Sequence, residues 1–113
     1  EKSLLTKYGL RTLEKTHPDF HPTYSGSLKE RDLAYHQGTI WPWLTGEFIK
    51  ALPKKDRRRF VETFVKPFVK KELRRFGLGT IAEIIDGDEP FESKGCISQA
   101  WSIAELIESI TTL

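Results

Sequence analysis

Apolar positions along the chain fall into two regimes. From Trp41 to Phe76, and again from Gln99 to Thr111, they recur at helical spacing. Residues 1–40 instead carry turn formers (His17-Pro18, His21-Pro22, Ser25-Gly26) and no sustained period. The first forty residues are therefore expected to be mostly loop, with a short extended piece at Leu10 to Leu13. So long an irregular stretch in a small domain usually lines a functional surface.

The first helix is predicted to start at Trp41-Pro42, because proline suits a first turn whose N–H groups lack partners anyway. It runs to Leu52, where Pro53 stops it, and carries Leu44, Phe48, Ile49 and Leu52 on one face. A second helix is expected from Lys55-Asp56 to Phe76, ended by Gly77. Its stripe repeats every four residues as Phe60, Phe64, Phe68 and Val61, Val65, Val69. Pro67 lies inside this stripe, removes a helical hydrogen bond and is expected to kink or break the helix there. Glycines and Pro90 punctuate a long loop over residues 77–98, with Ile81 to Ile85 a candidate extended run. The last helix is expected to be capped by Ser98 and to run from Gln99 to Thr111. Its nearly all-round apolar character predicts burial. The expectation is thus a mainly α chain of about three helices joined by long loops.

Composition narrows the class. At 113 residues the chain builds one domain at most. The net charge of +2 does not demand a polyanionic partner. A single cysteine, Cys96, forms no internal disulfide, which favours a reducing compartment and a cytoplasmic location. No apolar run approaches the roughly 18–20 residues of a membrane span, so no membrane partner is expected. The chain opens at Glu1 and contains no methionine, which trimming, tagging or fragmentation would each explain.

Three segments carry candidate chemistry. Tyr35-His36-Gln37-Gly38-Thr39-Ile40-Trp41-Pro42-Trp43 offers flat apolar rings for stacking on sugars, and neutral donors and acceptors for hydroxyls. The same residues also read as core tryptophans beside a structural histidine. In Gly79-Thr80-Ile81-Ala82-Glu83-Ile84-Ile85-Asp86-Gly87-Asp88, Glu83 stands among apolar neighbours, where burial raises a carboxyl's pKa and prepares it for proton transfer. From that pattern alone, a glutamate paired with an arginine or facing water on an edge strand is the commoner reading. In Gly95-Cys96-Ile97-Ser98-Gln99-Ala100-Trp101-Ser102, Gln99 and Trp101 open a helix and can face a sugar. Cys96 reads as a small buried residue. No metal site and no cofactor are expected: the acidic turn at Asp86, Asp88 and Glu89 lacks the calcium-loop pattern, and prolines keep His17 and His21 off a common helix. The basic runs at 54–59 and 70–75 read as a solvated helix face, with no nucleic-acid partner expected.

Several of these segments, in this order, resemble the C-terminal region of glycogen debranching enzymes. They are Leu4-Leu5-Thr6 with Tyr8 to Leu13, Arg31 to Trp43, Glu83 to Asp88, and Gly95 to Glu105. The resemblance implies a C-terminal fragment of an (α/α)6 toroid, with residues 1–113 a single segment of the catalytic domain. It implies inverting hydrolysis of α-1,6 branch linkages in glycogen-like α-glucans. Gly79 and Glu83 match the family's Gly-x-x-x-Glu segment, which makes Glu83 the general base. His36, Gln37, Trp41 and Trp101 fall in segments bordering the sugar pocket, with Gln99 a further candidate, and Arg31 and Asp32 orient the loop. The general acid is an aspartate from an earlier segment that this chain lacks, so the isolated chain is expected to be inactive. Implied partners are the α-glucan and the remainder of the toroid. An apolar face left uncovered is also expected to drive self-association. A non-catalytic carbohydrate-binding module of the same ancestry is the alternative. Two positions depart from the family pattern: Lys7 replaces an expected proline, leaving the entry loop less fixed, and Phe91 replaces a commoner histidine.

Overall fold

The computed structural model describes residues 3–113 and is mainly helical. In chain order it contains β1 (Leu5–Thr6), β2 (Gly9–Leu10), α1 (Leu28–His36), α2 (Trp43–Ala51) and α3 (Lys54–Phe60). A π-helical turn (Val61–Val65) follows, then α4 (Lys66–Glu72), β3 (Ile84–Ile85), β4 (Ser93–Lys94) and α5 (Ala100–Thr111). There are more helices than the three expected from apolar spacing, and the additional one is α1.

Helix α1 lies in the stretch expected to be loop. Its local signal is a capping box. Glu30 N–H donates to Ser27 Oγ at 3.3 Å, and Ser27 N–H donates to Glu30 Oε2 at 2.7 Å. Apolar periodicity is weak there because Ala34 is the only α1 residue that is fully buried.

The second long helix also differs in detail. The chain stays helical through Pro67, and the disturbance lies one turn earlier, in the π-helical segment. There Lys66 N–H donates to Val61 O, a five-residue step that widens the turn ahead of the proline ring. Phe48 meets Phe60 edge to face at 5.3 Å, and Phe60, Phe64 and Phe68 stack in series with neighbouring ring centroids 4.9 and 6.5 Å apart. Phe68, Val61 and Val65 join Tyr8, Ile40, Ile49, Ile81, Ile85, Phe91 and Leu106 in the core.

Helix α5 rests on α2. At Gly46 on α2, a Cβ would come within 2.7 Å of Glu105 O, so only glycine allows the two backbones to approach this closely. Lys50 Nζ pins the pair by donating to Glu47, Glu105 and Glu108 at 2.8, 2.9 and 2.8 Å. Burial of α5 is one-sided, not all-round: Ser102, Leu106 and Ser109 are buried, while Trp101 and Ile107 are 49% and 56% exposed. Ser98 does not cap this helix. Its hydroxyl accepts from Thr80 Oγ1 at 2.6 Å, and Gln99 is the N-cap residue, without a side-chain cap bond.

Ile40 joins the two short hairpins. β1 pairs with β2, and β3 with β4, both antiparallel. Between them Ile40 bridges Arg11 on one side and Ile85 on the other. The Ile40–Ile85 pair exchanges both backbone bonds, at 2.8 and 2.9 Å. This pairing brings the end of α1 alongside the residues preceding β3, and so defines the site below.

The two departures from the family pattern meet each other. Lys7 Nζ lies 5.0 Å from the Phe91 ring centroid and donates to Glu89 at 2.9 Å. These contacts link the entry loop to the 89–91 turn.

Candidate functional site

Glu83 sits two residues before Ile85, and Tyr35 five residues before Ile40. The Ile40–Ile85 pairing therefore sets the last turn of α1 beside Glu83. Tyr35 Oη donates to Glu83 Oε1. On the other side Cys96 N–H donates to Glu83 Oε2 at 2.9 Å, while Glu83 N–H donates to Cys96 O at 3.0 Å. The approach of the Cys96 loop depends on Gly95, whose φ of +70° suits glycine and whose Cβ would lie 2.5 Å from Glu83 Oε2.

These donors reverse the expected electrostatics. Partial burial pushes the Glu83 pKa up, but the Tyr35 hydroxyl and the Cys96 N–H and thiol together outweigh it. The carboxyl is held below its ordinary value and stays ionised at neutral pH. Burial, reinforced by the bond to Glu83, raises the Tyr35 phenol, so Tyr35 remains a donor. The Glu83 charge, then the bond to Glu83, raises the Cys96 thiol and keeps it protonated. Cys96 is exposed, not the buried residue the sequence suggested, and its raised pKa makes it a poor nucleophile. A carboxylate offers about four acceptor sites, so the hydrogen bonds from Tyr35 Oη and Cys96 N–H leave room for a water molecule to present its hydrogen.

A cleft of about 640 Å³ is lined mainly by apolar and aromatic side chains. Three sequence candidates meet in its wall: His36, Trp41 and Trp101. Trp41 is buried, donates its Nε1–H to Tyr35 O at 2.7 Å, and stacks on His36 at a centroid distance of 5.3 Å. Trp101 stacks on Trp43 at 4.2 Å, with ring planes 11° apart. Glu83 does not itself line the cleft. It is linked to it through Tyr35, whose ring packs against Trp41 at 4.6 Å and His36 at 4.8 Å.

Gln37 and Gln99 lie outside the cleft wall. Gln37 offers its backbone carbonyl to His21 N–H at 2.6 Å, and Gln99 donates its N–H to Ile81 O at 3.0 Å. Arg31 reaches toward the Tyr24 ring, 5.9 Å from its centroid. Two functional candidates lacked an assignment from sequence, Tyr35 and Trp43. Both belong to the aromatic-dense segment singled out there, but only the fold shows which ring each one touches. Among the described residues, no group of three His, Cys, Asp or Glu side chains is arranged to hold a metal ion. His17 and His21 instead engage Asp19 locally. Also among the described residues, no helix is long and apolar enough to cross a membrane.

Residues 1–108 match the model of the family described as amylo-alpha-1,6-glucosidase. The match covers nearly the whole chain, and the chain belongs to that family.

Proposed function

We propose that this member of the amylo-alpha-1,6-glucosidase family supplies the general base and part of the sugar pocket of an inverting glycosidase acting on α-1,6 branch linkages of α-glucans. Glu83 accepts a proton from the attacking water. Trp41, Trp101 and His36 offer stacking faces and hydrogen bonds to the glucosyl unit, with Gln37 and Gln99 at the periphery. The observation that supports this reading is an ionised carboxylate held by Tyr35 and Cys96, with the Tyr35 ring packed against two side chains, His36 and Trp41, of an indole-walled cleft.

Inversion needs a second carboxyl group roughly 6.5–9.5 Å from the first, leaving space for the water. That acid comes from the remainder of an (α/α)6 toroid, of which residues 1–113 form the C-terminal segment in the cytoplasm. The 113-residue chain alone binds glucan without hydrolysing it. In the complete enzyme, Glu83→Gln keeps the shape but takes no proton, and turnover of a branched maltooligosaccharide falls by roughly a hundredfold or more. Unchanged turnover removes the assignment.

One observation favours a second reading, a non-catalytic carbohydrate-binding module: Glu83 is absent from the cleft wall, whereas Trp101 and Trp43 are in it. Under that reading Glu83→Gln leaves both binding and any activity of the complete protein untouched.

A further inference from the structure

We propose that Tyr35 is the positioning residue of this site, donating its phenol hydrogen to Glu83 Oε1 and so fixing the orientation in which the carboxylate meets its water; this rests on the reading of Glu83 as the base. Tyr35 is itself immobilised. Its ring is packed against Tyr24, His36 and Trp41, at centroid distances of 5.6, 4.8 and 4.6 Å. Its carbonyl accepts from Trp41 Nε1 at 2.7 Å and from Thr39 Oγ1 at 2.9 Å. A phenol anchored at both ends cannot follow a carboxylate that changes rotamer, so it selects one. The same ring touches two side chains of the cleft wall. A glucosyl unit bound in the cleft against His36 is thus one ring away from the oxygen that activates water.

The Cys96 N–H fixes Oε2 from the opposite side. With only that bond the carboxylate can swing about its long axis, and Tyr35 removes this freedom. Misplacement of a reacting group by about 1 Å costs on the order of a hundredfold in rate. The titratable groups facing Glu83 are Tyr35 from α1 and Cys96 from the loop after β4, with Tyr24 behind Tyr35. From α5 comes the Ser102 hydroxyl, bonded to Ala82 O at 3.2 Å, and from its N-cap Gln99, neither of which titrates.

The test is Tyr35→Phe in the complete enzyme, assayed on a branched maltooligosaccharide across pH. The expected result is a kcat lower by about ten- to a hundredfold, a nearly unchanged KM, and an acid limb of kcat/KM displaced to higher pH, because Glu83 has lost a donor that favours its ionised form. In parallel, the Glu83 carboxyl carbon is followed by NMR titration in the 113-residue chain and is expected to titrate at higher pH after Tyr35→Phe. A residue that merely supports the fold would lower stability without moving either titration. An unmoved acid limb and an unmoved NMR titration overturn the proposal. If Tyr35→Phe fails to fold, fluorotyrosine in place of Tyr35 retains the ring and strengthens the donor; the acid limb must then move to lower pH, and an unmoved limb overturns the proposal. Glu83→Gln, run alongside, separates the two levels. Full turnover in that variant overturns the base and with it the role of Tyr35, whereas lost turnover with an unmoved limb in Tyr35→Phe overturns the positioning role alone.

Discussion

Glu83 and Cys96 bond to each other twice, backbone to backbone at 3.0 Å and Cys96 N–H to Glu83 Oε2 at 2.9 Å. Gly95 makes this possible, and Gly95→Ala tests it. A methyl group there sits in left-handed backbone space, at a cost of about 1–2 kcal/mol, and meets Oε2 at 2.5 Å. The variant is expected to unfold at lower urea concentration than the natural chain. Its Glu83 carboxyl, having lost the Cys96 donor, is expected to titrate at higher pH by NMR. Equal urea midpoints would show that the loop relaxes freely.

Glu83 and Asp86, three residues apart, shift in opposite directions. Donors dominate at Glu83 and lower its pKa; burial dominates at Asp86 and raises it, despite the Tyr24 N–H at 2.8 Å. The signs follow from linkage. The contribution of Glu83 is fully present above the ordinary carboxyl pKa and is lost as pH falls through its lower folded value. At Asp86 the folded chain binds the proton more tightly than the unfolded chain, so stability declines as pH rises through the interval between the two values. Asp86→Asn retains an acceptor for Tyr24 N–H and carries no charge. It is expected to stabilise the chain at neutral pH, with the gain vanishing in acid. Denaturation midpoints measured at both pH values check this, and a loss of stability at neutral pH would refute it.

Two of the three cleft tryptophans, Trp41 and Trp101, are expected to separate in their effects. Trp41 is buried and hydrogen-bonded, so Trp41→Ala removes core packing and destabilises by about 3–5 kcal/mol. Trp101 is 49% exposed and faces the cleft, so Trp101→Ala leaves the fold largely intact. It weakens maltooligosaccharide binding by roughly tenfold, equivalent to about 1.4 kcal/mol. Calorimetric titration alongside thermal unfolding distinguishes the two. Unaltered affinity in Trp101→Ala would remove that ring from the sugar pocket.

Local signals in the sequence located much of the helical framework and little of the site's geometry. Helix α2 was legible because Pro42 precedes it and Pro53 follows it, both acting within a turn of themselves. Helix α1 carried an equally local signal in Ser27 and Glu30, but its single fully buried residue gave no apolar period to accompany the cap. One-sided burial of α5 could not be read from its composition, since Trp101 and Ile107 look like core residues yet remain about half exposed in the fold. Glu83 was found as an isolated carboxyl among apolar residues, yet the direction of its pKa was misjudged. The donors that decide it lie 48 and 13 residues away: Tyr35 arrives because Ile40 pairs with Ile85, and Cys96 because β4 pairs with β3. Burial is a property of neighbours in sequence as well as in space, whereas donors arriving by long-range pairing leave no local trace.

The most direct measurement replaces the base and supplies a substitute. Glu83→Ala in the complete enzyme leaves a space where a small anion can bind and attack the anomeric carbon from the face the water uses. With azide present, the expected result is recovery of substrate cleavage, with β-glucosyl azide as the product of inversion. A Glu83→Ala enzyme that hydrolyses branches at the natural rate, or an inactive one that azide leaves inactive while the fold is intact, would contradict the assignment of Glu83 as the group that activates water.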